Sequence, residues 1–126
     1  MALISFVAGL AVLEYVVLLL LTGRARARYG VEAPATTGHP IFERWYRVQQ
    51  NTVEQLVVFL PSLFLFGAYA SRGWGVFLGL LFIVGRIVYA RGYVADPARR
   101  GPGFGLSFGA NVILLLGGLI GTLAAL

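Results

Sequence analysis

The chain alternates long apolar runs with short polar ones. Four of the runs approach the roughly 20 mostly apolar residues that an α-helix needs to cross a bilayer. They cover about 2–22, 42–70, 74–94 and 103–126. The first, "ALISFVAGLAVLEYVVLLLLT", is expected to end at Gly23. No basic stretch precedes it and no small-residue cleavage site follows, so it reads as a span and not as a signal peptide. The second is polar in its first half and apolar in its second. Pro102 suits the first turn of the fourth, where no backbone donor is needed. The connections are 23–41, rich in Arg, Gly, Pro and Thr; a tight turn "SRG" at 71–73; and "ADPARRGP" at 95–102. The pattern predicts an all-α integral membrane protein, one domain over 1–126 built as a four-transmembrane-helix bundle. Glycines recur in the last two spans, and "GLSFG" and "GGLIG" are expected to let helices approach closely.

Composition strengthens this picture. Hydrophobic residues make up 59% of the 126 positions and charged residues only 12%. Soluble chains average about 25% charged, so this one has too little charge to cover a soluble surface. There is no cysteine, which excludes disulfides, thiolate nucleophiles and cysteine-ligated metals. The single histidine, His39, lies in the turn-like "TTGHPIF" and is expected to be a loop residue, with no metal site. The net charge is +5 and every cation is arginine. These arginines cluster beside apolar runs, which fits membrane flanks and anion contacts and excludes a nucleic-acid surface. All of them outside the spans except Arg72 fall toward the end that carries the first and last connections. By the positive-inside rule that end is cytoplasmic and both termini are outside; a bacterial inner membrane is the expected location.

The polar half of the second span carries the candidate chemistry. Residues three or four apart share a helix face. Arg47, Asn51 and Glu54 step by four and three, and Arg44 and Gln55 extend the stripe. Ionisable groups at membrane depth are costly and normally face a cavity or a partner. Spacing alone leaves two readings open: a ligand-binding face, or an ion-pair network between helices. The third span repeats the pattern with Arg86, Tyr89 and Tyr93 at the same depth. Arg99 and Arg100 precede the fourth helix, and guanidiniums beside a helix N-terminus make a ready anion site. The implied ligand is small, water-soluble and mainly anionic, with a lipophilic second substrate arriving from the bilayer. Glu14, in the middle of the first span, has two readings of its own. It is either a buried partner for a neighbouring helix or subunit, or the proton-coupling carboxylate of a small four-span drug exporter.

The stretch "TTGHPIFERWYRVQQNTVEQ" resembles the loop and second helix of the membrane-associated proteins in eicosanoid and glutathione metabolism, the MAPEG family. Phe42, Glu43, Arg44, Tyr46, Arg47, Gln49, Asn51 and Glu54 carry the match. "GRIVYARGYV" resembles the family's third helix, and the likeness extends over nearly the whole chain in span order and loop lengths. The resemblance implies a homotrimer with glutathione held between neighbouring subunits and used as a co-substrate. Arg47, Asn51 and Glu54 would bind it, Arg86, Tyr89 and Tyr93 would complete the cradle, and Arg26 would reach in from the adjoining subunit. Arg100 would face the thiol as the catalytic group, with Arg99 as its rival. The implied activity is that of a glutathione transferase or peroxidase acting on a lipophilic electrophile or hydroperoxide; the alternative within the family is a non-catalytic scaffold that binds lipid. Where the eicosanoid-synthase branch has a tyrosine after the helix-two glutamate, this chain has Gln55.

Overall fold

In the computed structural model, which describes residues 1–126, the chain folds into α1 (Ala2–Arg28), α2 (Pro40–Tyr69), α3 (Arg72–Ala95) and α4 (Gly101–Ala125), with a 3-10 turn over Pro97–Arg100 leading into α4. All four helices are long and apolar enough to span a membrane, and the protein is an integral membrane protein of the all-α class. Large apolar side chains such as Leu20, Val57, Ile120 and Leu123 point outward, where hydrocarbon rather than water is the natural neighbour. The core between the helices is built from Ile4, Val7 and Ala11 of α1, Leu56, Phe59 and Leu63 of α2, Phe82 of α3 and Leu114 of α4. Phe59 and Phe82 stack with centroids 4.0 Å apart.

The first helix does not end at Gly23. It continues through "RARAR" to Arg28, because alanine and arginine are good helix formers and a single glycine costs only about 1 kcal/mol. The true stop is Gly30, whose φ of +66° is in the left-handed region. The Val31 amide donates to the Arg26 carbonyl at 3.0 Å, which closes a Schellman motif. Val31 then packs against Ala25 and Phe42. Gly30→Ala should therefore lower stability by about 1 kcal/mol, since a Cβ is disfavoured at this φ; a lower thermal midpoint in detergent checks it.

The next helix begins one residue after His39, which lies in the loop and caps α2. Its Nδ1 accepts from the Ile41 amide at 3.1 Å, and its ring stacks on Tyr29 at 3.9 Å. Pro40 occupies the first turn, where its missing donor is harmless. Glu43 reaches back and accepts from the Gly38 amide at 3.1 Å. At the other end of α2, Ser71 caps α3 by accepting from the Trp74 amide at 3.2 Å. Arg72 lines a groove with Met1, Leu3 and Ile4. The N-terminus and the α2–α3 turn thus share the end opposite the arginine-rich loops.

Close helix approach is real, but only one of the two glycine motifs makes it. In "GGLIG", a Cβ at Gly117 would meet the Phe66 ring at 2.5 Å and one at Gly118 the Leu65 side chain at 2.9 Å. A Cβ at Gly121 would collide with the Tyr69 carbonyl. In "GLSFG", Gly105 and Gly109 have nothing within 4 Å. The α3–α4 seam instead uses Gly103 and Ser107, one turn apart on the adjacent face, together with Gly85. A Cβ at Gly103 would collide with the Tyr89 backbone, and one at Gly85 would lie 2.8 Å from the Ser107 amide nitrogen.

Candidate functional site

A pocket of about 410 Å³ opens at the arginine-rich end of the bundle, between α2, α3 and the start of α4. Arg47 and Asn51 come from α2, Tyr89 and Tyr93 from α3, and Arg100, Gly101 and Phe104 from the approach to α4 and its first turn. Helix geometry explains the convergence. Each pair on α2 and α3 is four residues apart, so both members face the same way one turn from each other. Tyr89 and Tyr93 stack with centroids 5.6 Å apart and form an aromatic wall. No carboxylate lines the pocket, and two guanidiniums do, so it suits an anion. It also has the size of ordinary small-molecule sites, which run from about 300 to 1,000 Å³.

Arg86 holds this wall from behind. It is fully buried and does not line the pocket. Its Nη2 donates to Asn51 Oδ1 at 2.7 Å and to Thr52 Oγ1 at 3.0 Å, and its Nη1 donates to Ser107 Oγ at 3.1 Å. The guanidinium also lies 4.3 Å from the Tyr89 ring centroid, a cation–π distance. One residue thus ties α2, α3 and α4 together. With its oxygen held by Arg86, Asn51 has its amide NH₂ left for the pocket, and that group is a donor. Thr52 and Ser107 were not legible as partners, because a hydroxyl on an apolar helix carries no pattern of its own.

The α2 stripe divides between the two readings that spacing left open. Arg47 and Asn51 reach the pocket. Arg44 instead donates to the Val94 and Ala95 carbonyls at 3.0 and 3.3 Å, satisfying acceptors that the end of α3 leaves free. Gln55 accepts from Asn111 of α4 through its carbonyl and its Oε1, at 3.2 and 3.0 Å. Glu54 is exposed, on the open side of the stripe and outside the pocket lining. Arg26 is engaged near its own loop. It donates to the Ala35 carbonyl at 2.7 Å and lies 4.6 Å from the Phe42 ring centroid.

The structure separates Arg100 from Arg99. Only Arg100 lines the pocket; one of its nitrogens donates to the Pro97 carbonyl at 3.1 Å, and the remaining donors of its fork are free for a ligand. Arg99 lies outside, with its carbonyl beside Gly92. The N-terminus of α4 is not a free helix end. The 3-10 turn runs straight into α4 through Gly101, at φ −57° and ψ −54°, so the helical chain starts at Pro97. Its first donors are capped by Asp96, which accepts from the Ala98 amide at 3.0 Å. Phe104, one turn beyond Arg100, supplies an apolar wall that the sequence pattern did not single out. Nowhere in the structure do three or more His, Cys, Asp or Glu side chains gather as metal ligands would.

Residues 4–120 match the model of the MAPEG family. An uncharacterized protein of Synechocystis sp. is 45% identical over 119 residues, 94% of this chain and 87% of that one. Human microsomal glutathione S-transferase 2 is 42% identical over 102 residues, covering 81% of this chain and 69% of its own. Leukotriene C4 synthase of Cavia porcellus is 37% identical over 99 residues, 79% of this chain and 66% of its own. With residues 4–120 of its 126 matched by the family model and relatives of this identity, the chain belongs to the MAPEG family.

Proposed function

We propose that the protein is a membrane-bound glutathione transferase that activates glutathione as a thiolate for attack on a lipophilic electrophile. The observation that carries this reading is the pocket in which Arg47, Asn51, Tyr89, Tyr93 and Arg100 meet. Glutathione is a tripeptide with two carboxylates, one ammonium group and one thiol. Arg47 and the Asn51 amide take its carboxylates, the two tyrosines pack along its backbone, and Arg100 faces the sulfur. Glu54, at the open edge, takes the ammonium group. Assembly as a homotrimer closes that edge, and Arg26 of a neighbouring subunit then borders the ligand. Arg86 serves the cradle indirectly, by orienting Asn51. The names of the relatives, a glutathione S-transferase and a leukotriene C4 synthase, support the same chemistry.

A thiol with a pKa near 8.5 is mostly protonated at neutral pH, and the thiolate is the nucleophile. The sulfur proton leaves to solvent at the pocket mouth. The sulfur lone pair then forms the bond to the electrophilic carbon, whose leaving group or ring oxygen takes the displaced pair. With a lipid hydroperoxide the same thiolate attacks the terminal oxygen, the O–O bond breaks, and the lipid alkoxide leaves and takes a proton from water. The resulting sulfenic acid condenses with a second glutathione to give the disulfide and water; the hydroperoxide is the oxidant. The second substrate enters from the bilayer along the apolar outer faces of the helices, with surrounding lipid as the other membrane partner. The site faces the cytoplasm of a bacterial inner membrane, with both termini outside.

Adding glutathione to the detergent-solubilised protein should raise ultraviolet thiolate absorbance. Absence of glutathione binding at millimolar concentration defeats the proposal. Binding of co-purified lipid with no turnover of any electrophile or hydroperoxide favours a non-catalytic scaffold instead. Arg47→Ala should weaken glutathione binding by about tenfold or more, the scale of one lost charge-assisted contact. Arg44→Ala should lower thermal stability and leave that affinity nearly unchanged. Isothermal titration and thermal unfolding separate the two.

A further inference from the structure

Two complementary charged groups are left incomplete inside the bundle. Glu14 on α1 has both carboxylate oxygens buried with no hydrogen bond, and Arg86 on α3 has its Nε buried with none. The two side chains line one cavity of about 220 Å³, walled chiefly by Val17, Leu18, Trp45 and Ile87. Arg91, in the same wall, is exposed and can turn its charge to solvent, so Arg86 is the buried cation that shares this cavity with Glu14. Another buried acceptor without a partner is Asn111 Oδ1, but Asn111 lies outside this cavity and is already anchored to Gln55.

The Arg86 fork is committed on its Nη1 and Nη2 to Ser107, Asn51 and Thr52, all of them neutral. Its positive charge is thus buried among uncharged partners, and a buried charge without compensation is costly. The Nε edge remains without a partner, and the Glu14 carboxyl lines the same cavity. The cavity is large enough for the two to meet directly or through one water.

We propose that Glu14 is a positioning residue for the glutathione pocket. Its carboxylate compensates Arg86 across the α1–α3 seam and holds the guanidinium against Asn51, so that the Asn51 NH₂ faces the ligand. This rests on reading that pocket as a glutathione site. With the carboxylate removed, Arg86 is drawn toward the wetter pocket side and Asn51 loses its fixed orientation.

The test is a pair of double-variant comparisons on the full-length protein in detergent. Glu14→Gln keeps the shape and removes the charge. It should weaken glutathione binding about fivefold or more, as expected of a member of one charged network, while leaving the KM for the lipophilic substrate unchanged. In an Asn51→Ala background it should have no further effect on glutathione affinity, because both changes break the same link. A merely structural role lowers thermal stability and multiplies with Asn51→Ala. Unchanged affinity in Glu14→Gln, or multiplicative effects, overturns the proposal. Should Glu14→Gln not fold, Glu14→Asp serves: retained affinity supports the proposal, and loss equal to that of Asn51→Ala overturns it. If the native protein binds no glutathione, the proposed function fails instead. The Glu14–Arg86 link is then read from thermal unfolding of Glu14→Gln, Arg86→Gln and the double variant, where additive effects overturn it and non-additive ones support it.

Discussion

Arg100→Ala should reduce the thiolate fraction of bound glutathione at neutral pH by about 25-fold, while Arg99→Ala should leave it unchanged. A guanidinium about 4 Å from the sulfur contributes up to ~4 kcal/mol at an effective dielectric constant near 20. Lowering the thiol pKa from about 8.5 to about 6.5 takes roughly 2.7 kcal/mol, so one arginine suffices. At pH 7 the ionised fraction is then about three quarters, against about 3% without the arginine. The difference follows pH in a definite direction. It widens toward about 100-fold below pH 6.5, where neither thiol is fully ionised, and it vanishes above about pH 8.5, where the unassisted thiol ionises by itself.

Turnover should fall less than the thiolate signal. Intrinsic nucleophilicity drops with thiol pKa along a Brønsted slope of about 0.4–0.5. Two units therefore cost the activated thiolate roughly eightfold in reactivity, leaving a net rate effect of about threefold at pH 7 from ionisation alone. The decisive measurement is consequently a titration of ultraviolet thiolate absorbance against pH for the native protein and both variants. Arg100→Ala with an undiminished signal at pH 7 would remove Arg100 from the proposed role, and loss of signal in Arg99→Ala would transfer that role to Arg99.

Gly103→Ala should be among the most damaging single-methyl substitutions in the chain, with a loss of about 3 kcal/mol or more. The added Cβ would overlap the Tyr89 backbone nitrogen and Cα. Overpacking a core typically costs 1–3 kcal/mol when side chains can shift; here the obstacle is helix backbone, which shifts only if α3 and α4 part. Because Tyr89 lines the pocket beside Arg100, any such separation also widens the site. Gly105→Ala and Gly109→Ala provide the control. Both positions face open space and should gain up to about 1 kcal/mol from better helix propensity. Thermal unfolding in detergent, with glutathione binding as a second readout, checks all three. Equal tolerance at positions 103 and 105 would contradict the packing described for the α3–α4 seam.

Much of the site could be read along the chain because its residues repeat at helical spacing. Arg47 with Asn51 and Tyr89 with Tyr93 are separated by one turn, and one turn puts side chains on one face whatever the helix packs against. The same rule could not say which members of a stripe turn toward a ligand. Arg44 and Gln55 belong to the α2 stripe by spacing, yet α3 and α4 end or pass beside them and take their hydrogen bonds. Arg86 belongs to the α3 stripe with Tyr89, but its position between three helices buries it behind the wall and leaves it no open surface.

Helix ends followed a similar division. Pro102 near the start of α4 and the tight "SRG" turn follow from local backbone chemistry, which a few neighbouring residues determine. Gly23 and "GLSFG" did not act as their residue types suggested. A glycine ends a helix only where a left-handed cap is completed, as at Gly30, and it admits a neighbour only if it faces one. The sequence by itself determined four apolar helices, their order, the arginine-rich end and the facing pairs, because length, hydropathy and period are properties of a single segment. Only the tertiary structure decided that Arg100 and not Arg99 reaches the pocket, that Arg86 stands behind Asn51, and that Glu14 lies across the seam from Arg86. Each of those depends on how far one helix is rotated against another, and that rotation is set by packing summed over the whole bundle.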